Sequence, residues 1–244
     1  MASSTLPDAP PPALDIENLS HAWPDGAISL AGLSLRLDAG ESLGLIGPNG
    51  AGKTTFFLLL VGCLAPKTGV VRVDGIELSR ATVDVLRARI GFAFQDADDQ
   101  LFLPTVLDDV AYAPRRRGAS AAAAVEQARR ALERLDAGHL ADRAPYRLSG
   151  GEKRLAALAG VLAAEPSLLL LDEPTGGLDP RARRRLADLL PTLPATRIVA
   201  THDLDFARAT CRRLAVLRRG EMLAIGPAAD ILSDRAVLER SELM

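Results

Sequence analysis

The chain has 244 residues, 48% hydrophobic and 25% charged, with a formal net charge of −2. That length can bury a sizeable core, the balance is that of a globular domain, and the lack of a basic excess argues against a nucleic-acid partner. Two cysteines, Cys63 and Cys211, do not make a disulfide scaffold and fit a reducing compartment.

Met1 to Ala13 is small, polar and Pro-rich, with neither a positive stretch nor an apolar core, and reads as a disordered lead-in rather than a signal peptide. Leu14 to Leu37 alternates apolar and polar residues around a turn at Pro24-Asp25-Gly26, which predicts antiparallel strands. Ser42 to Ile46 is a short buried strand leading into a glycine loop, and Thr54 to Cys63 a helix. Gly69 to Gly75 and Ile90 to Phe94 read as further strands. From about Pro104 to Ala164 strand signals vanish and helix formers dominate, Ala119 to Leu135 above all. Strand patterns return at Leu168 to Leu171, Arg197 to Thr201 and Leu214 to Leu217, with a helix over Pro180 to Leu190. Strands alternating with helices imply an α/β fold, with functional residues at the carboxyl ends of parallel strands. The most apolar stretch, Leu155 to Leu171, is interrupted by Glu165, Pro166 and Ser167, so no segment reaches the ~20 apolar residues of a membrane span. Arginine clusters such as Arg115 to Arg117 and Arg183 to Arg185 read as solvated faces or helix ends.

Gly47-Pro48-Asn49-Gly50-Ala51-Gly52-Lys53-Thr54 matches G-x-x-x-x-G-K-[ST] in full, between a predicted strand and a predicted helix. Its backbone N–H groups and the helix N-terminus suit phosphate oxygens. Lys53 would reach the β- and γ-phosphates and the Thr54 hydroxyl would ligate Mg²⁺, with Thr55 beside it. Asp172 and Glu173 end a run of four leucines, Leu168 to Leu171. A buried strand delivering two carboxylates suits one, Asp172, that holds the metal and one, Glu173, that polarises the attacking water.

Leu148-Ser149-Gly150-Gly151-Glu152, upstream of that strand, resembles the signature of the ATP-binding-cassette (ABC) ATPases, and the resemblance runs from about Leu14 onward. It implies a phosphate-loop ABC cassette with a RecA-like core, an antiparallel β-subdomain and a helical subdomain. Core and β-subdomain would span 14–95 and 165–244 of a single domain over 14–244, and the helical subdomain about 96–164. In the family, Ser149, Gly150 and Gly151 complete the ATP site of an opposing cassette, identical or paralogous. Gly177-Leu178-Asp179 matches the loop that crosses that interface, Asp179 contacting the site in trans. Thr201-His202-Asp203 matches the switch histidine, His202. Gln95 matches the glutamine joining the Mg²⁺ site to the helical subdomain, and Trp23 stands where the family stacks an aromatic ring on adenine. His21 and His139 have no such context and read as structural or surface residues.

Phe94-Gln95-Asp96-Ala97-Asp98-Asp99-Gln100-Leu101-Phe102, followed by Thr105-Val106 and Asp109-Val110-Ala111-Tyr112-Ala113-Pro114, looks like the cassettes of energy-coupling-factor importers, the group that includes cobalt, nickel and biotin uptake ATPases. The segment Arg154 to Ala163 fits the same group. The resemblance implies ATP and Mg²⁺ as cofactors, integral-membrane transport subunits and a substrate-binding membrane subunit as partners, and a place on the cytoplasmic face of the membrane. Leu101, Phe102 and Leu103 are the residues expected to dock a helix of a membrane subunit. An exporter ATPase, another importer's ATPase, a ribosome-associated cassette protein and a soluble ABC ATPase of DNA repair or chromosome structure are the other readings. The ribosomal kind carries two cassettes per chain where this has one, and the last is disfavoured because no coiled coil fits between Lys53 and Ser149.

Overall fold

A computed structural model of the chain describes residues 10–243. The expected lead-in lies outside the described residues up to position 9. Ala13 corrects its end: it is buried, and its carbonyl accepts a hydrogen bond from Asp74 N at 3.1 Å, so packing begins before Leu14.

Two sheets organise the molecule. The smaller is antiparallel, with spatial order β2-β1-β4-β5, from β1 (Leu14–Ala22), β2 (Ile28–Leu37), β4 (Thr68–Val73) and β5 (Ile76–Glu77). In β1 the alternation of Leu14 and Ile16 slips before Leu19, where Asn18 takes a φ of 49° and the register shifts against both neighbours. Such a bulge bends the strand while keeping Leu19 on the core side.

The larger sheet runs β10-β9-β3-β8-β7-β6. Its strands are β3 (Ser42–Ile46), β6 (Ile90–Ala93), β7 (Leu168–Asp172), β8 (Thr196–Thr201), β9 (Arg213–Arg218) and β10 (Glu221–Pro227). All but β10 are parallel. The central strands are buried on both faces, which is why β7 reads as an unbroken leucine run. Leu168 and Leu170 join one core with Phe56, Phe57 and the small sheet, while Leu169 and Leu171 join the other with the helices.

On the first face lie α1 (Lys53–Leu60), shorter than the expected Thr54 to Cys63 because Gly62 (φ 66°) turns the chain, and α2 (Val83–Arg87). On the other, α3 (Val106–Arg116), α4 (Ala121–Arg134) and α5 (Gly150–Ala163) pack on one another beside β6. Then come α6 (Pro180–Leu189), α7 (Leu204–Thr210), α8 (Ala228–Ser233) and α9 (Arg235–Arg240). No described helix is long and apolar enough to cross a membrane.

Candidate functional site

The carboxyl ends of β3, β6, β7 and β8 deliver Gly47, Gln95, Asp172 and His202 respectively to one edge of the parallel sheet. The loop from Gly47 to Gly52 is held tightly. A Cβ on Gly52 would lie 2.5 Å from Ser29 O, and its φ of +105° is one that residues with side chains rarely adopt, so only glycine fits. Ala51 is buried, and its carbonyl accepts from Gly220 N, while Asn49 and Gly50 are exposed at the loop's tip.

Lys53 folds back over this loop, 7% exposed, donating to the carbonyls of Gly47 (2.7 Å) and Pro48 (3.2 Å). Its ammonium is 3.7 Å from Glu173 Oε1. Thr54 Oγ1 donates to Asp172 Oδ2 at 2.6 Å, and Thr55 is buried at the base of α1. Asp172 Oδ1 and Glu173 Oε1 are buried and have no hydrogen-bond partner among the described residues. Burial pushes the Asp172 carboxyl above its ordinary value; the Thr54 hydrogen bond opposes this and the neighbouring Glu173 reinforces it.

Glu173 adopts a left-handed φ of 45°, and its N–H donates to Ala200 O on β8 at 2.8 Å. Strain of this kind persists only where the surroundings hold it. Here the turn points the carboxylate at β8: Oε2 accepts from Thr201 Oγ1 at 3.1 Å and lies 3.0 Å from His202 Nδ1. The His202 ring is otherwise open to solvent, 69% exposed. Gln95, after β6, is exposed.

Trp23 is 40% exposed and therefore not a core residue. Its ring meets the buried His21 edge to face, with centroids 5.1 Å apart, and His21 Nδ1 lies 2.6 Å from Ser29 Oγ. Since the Ser29 carbonyl abuts Gly52, the indole stands at the end of a short chain of contacts leading to the glycine loop. His21 is thus structural; His139 is exposed.

The remaining candidates assemble elsewhere. Ser149, Gly150, Gly151 and Asp179 line a cavity of about 570 Å³ together with Gly177 and Leu178; no residue of the glycine loop lines it. A Cβ on Gly151 would come within 2.7 Å of Gly177 O, so the start of α5 rests directly on this loop. Ser149 caps α5 in a reciprocal box: its Oγ accepts from Glu152 N (3.3 Å) and its N–H donates to Glu152 Oε2 (2.7 Å). Asp179 likewise caps α6, and the N–H groups of Ala182 and Arg181 hold its carboxyl below the ordinary value.

Three residues outside the expected site residues also belong to this region. Thr201 joins Glu173 to the backbone N–H of Asp203 (3.0 Å). Arg154, buried in α5, donates to Phe94 O at 2.6 Å and to Gln95 O, tying that helix to the Gln95 loop. Arg183 grips Asp203 and so is no mere member of a solvated face, the reading its arginine-rich neighbourhood suggested. Of Leu101, Phe102 and Leu103, only Phe102 is exposed; Leu101 and Leu103 are half-buried, Leu101 against the helical core.

The model of the ABC transporter family matches residues 30–176. A protein of Gloeobacter violaceus, named no further than an ABC transporter ATP-binding protein, is 49% identical over 93% of this chain and 93% of its own length. The cobalt import ATP-binding protein CbiO of Rhodobacter capsulatus is 45% identical over 95% of this chain and 85% of its own. The fold is similar to that of CbiO1 from Clostridium perfringens, described as part of the ABC transporter complex CbiONQ, with a TM-score of 0.80, 33% identity, and coverage of 96% and 95% of the two chains. The glycine loop, the carboxylates of β7 and these matches along nearly the whole chain have one conclusion: the protein belongs to the ABC transporter family, as one of its ATP-binding, ATP-hydrolysing subunits.

Proposed function

We propose that this cassette powers an energy-coupling-factor-type importer, driving uptake of a transition metal ion (cobalt or nickel) or a vitamin through partner membrane subunits, one of which binds the substrate. The observation that carries this reading is the segment Phe94 to Pro114. Its residues Phe94, Leu101, Phe102, Asp109 and Tyr112 line a groove of about 730 Å³ bounded below by α5. Phe102 and Tyr112 stand exposed there as an edge-to-face pair, a surface suited to a helix end of an integral-membrane protein. The similarity to a cobalt import ATPase over most of its length supports the same assignment. The chain would thus work at the cytoplasmic face of a membrane without crossing it.

ATP would lie on the glycine loop with its adenine against Trp23. Lys53, now bonded to loop carbonyls, would exchange those acceptors for phosphate oxygens. The residues present fit Mg²⁺, which takes hard oxygen ligands: Thr54 Oγ1 and the buried, unpartnered Asp172 Oδ1 are of that kind, with Gln95 at the rim. When bound, the ion would supply positive charge to offset the negative charge developing on the phosphates. Glu173 has one oxygen anchored by Thr201 and His202 and the other without a hydrogen bond, 3.7 Å from the Lys53 ammonium, an arrangement suited to orienting an attacking water once Lys53 turns to phosphate. His202 would contact the γ-phosphate. Because Ser149, Gly150, Gly151 and Asp179 line a separate cavity, they are suited to complete the site of a second cassette, the N-terminus of α5 facing its γ-phosphate.

The test is to recover the integral-membrane proteins that co-purify with the full chain and assay ATP-driven uptake of radiolabelled cobalt, nickel or vitamins in vesicles carrying the complex. Uptake of one of these, abolished by Glu173→Gln, is the expected result. That variant should hydrolyse ATP roughly 10² to 10⁴ times more slowly while still binding it. Recovery of DNA or ribosomes in place of membrane proteins would overturn the transport reading; near-normal turnover by Glu173→Gln would overturn the role of Glu173.

A further inference from the structure

We propose that Arg183 is a positioning residue for His202, holding the switch histidine in register with the loop at Gly177 to Asp179. This rests on the reading of His202 and Glu173 as hydrolytic residues. Arg183 projects from the first turn of α6 and meets Asp203 with both prongs of its guanidinium, Nε to Oδ2 at 2.8 Å and Nη2 to Oδ1 at 2.8 Å. A two-point fork of this kind fixes direction as well as distance, which a lysine cannot do. The guanidinium also lies 5.9 Å from the centre of the Phe206 ring, which is itself buried.

Asp203 is the residue immediately after His202, and it is restrained on every side. Its Oδ1 caps α7 by accepting Phe206 N at 2.9 Å, and its own N–H donates to Thr201 Oγ1. Thr201 in turn donates to Glu173. His202 therefore sits between two anchored residues, while its ring is largely exposed and lies 3.0 Å from Glu173 Oε2. A ring with so little packing of its own takes its position from the backbone beneath it, and Arg183 holds that backbone.

The other end of the link is the interface loop. Asp179 is the N-cap of α6, and Arg183 N donates to Asp179 O at 2.9 Å, so one helical turn joins Asp179 to the fork. A partner cassette that seats or displaces Gly177 to Asp179 would move His202 through this rigid connection.

The test combines hydrolysis by the full complex with NMR of the full chain carrying ¹³C-labelled histidine. There are three histidines, so the His202 resonance is assigned by its loss in His202→Ala. Arg183→Met should shift and broaden the His202 signal while leaving that of buried His21 in place, which shows that the fold is intact. Its kcat should fall roughly 10- to 100-fold with KM changed less than about twofold, the signature of a displaced group rather than lost binding. Asp203→Asn, which keeps the α7 cap but loses the charge, should reproduce this, and Arg183→Lys should recover part of it.

An unmoved His202 signal in Arg183→Met, or a kcat within about twofold of the parent, overturns the proposal. If His202→Ala and Glu173→Gln themselves hydrolyse ATP normally, the hydrolytic reading falls instead. The NMR result reports on positioning whichever way that control goes.

Discussion

Asp172, proposed above to hold Mg²⁺, sets stability against that proposed role in a single carboxyl. It is 1% exposed, and burial raises its pKa because the charged form loses water that the protein only partly replaces. For an acid raised in the folded state, the sign is that of a group stabilising at low pH. Its contribution is present below the unfolded value, near 3.9, and is lost as pH rises through the folded value. At neutral pH, well above the unfolded value, Asp172 therefore costs stability relative to a side chain that never ionises. Asp172→Asn should raise the melting temperature of the nucleotide-free chain at pH 7 to 8, and the advantage should shrink as pH falls toward 4. The same variant should lose Mg²⁺-dependent hydrolysis. Thermal melts across that pH range check the first claim; a variant less stable than the parent at neutral pH would contradict it.

At the scale of the element, α5 shows one residue serving two ends. Ser149 closes the helix by its capping box, yet it also lines the cavity beside Gly177 to Asp179. Aspartate is as good an N-cap as serine and is favoured by the helix dipole. Ser149→Asp should therefore melt close to the parent, whereas Ser149→Ala should lose about 0.5–2 kcal/mol. In hydrolysis the order reverses its meaning. The aspartate would place a negative charge toward a neighbour's γ-phosphate, so Ser149→Asp should lose activity while the isolated chain binds ATP unchanged. Full hydrolysis by Ser149→Asp would sink the reading of Ser149 as a group acting in trans. Arg154 adds the reason such effects could travel, since it joins the same helix to the carbonyls of Phe94 and Gln95.

At the scale of the molecule, the groove is bordered by β6, α3 and α5, and the exposed aromatic pair Phe102 and Tyr112 lines it. Phe102 is 65% exposed, so replacing it should not disturb folding. Phe102→Asp should weaken association with membrane subunits by roughly 30-fold, the worth of one interfacial hot spot, with melting temperature and ATP affinity unchanged. Titration of the chain against the purified membrane subunits measures this. Undiminished association would remove Phe102 from the docking surface.

The strands, the glycine loop and the paired carboxylates after Leu168 to Leu171 were legible because each is written in consecutive residues, as an alternation, an unbroken apolar run or a fixed spacing. Short or edge elements such as α2, α7 and β10 left no such trace, having too few residues to show a period. Nor could local pattern tell that Ala13 packs, that Leu101 and Leu103 turn inward, or that Arg183 leaves its arginine cluster to hold Asp203. By itself the sequence determined an α/β nucleotide-binding cassette and which side chains stand at its strand ends. Only the tertiary structure decided what those side chains touch. Thr54 meets Asp172 across 118 positions, and Arg154 meets Phe94 across 60. Contacts of that range follow from strand order and helix packing, which no local period encodes.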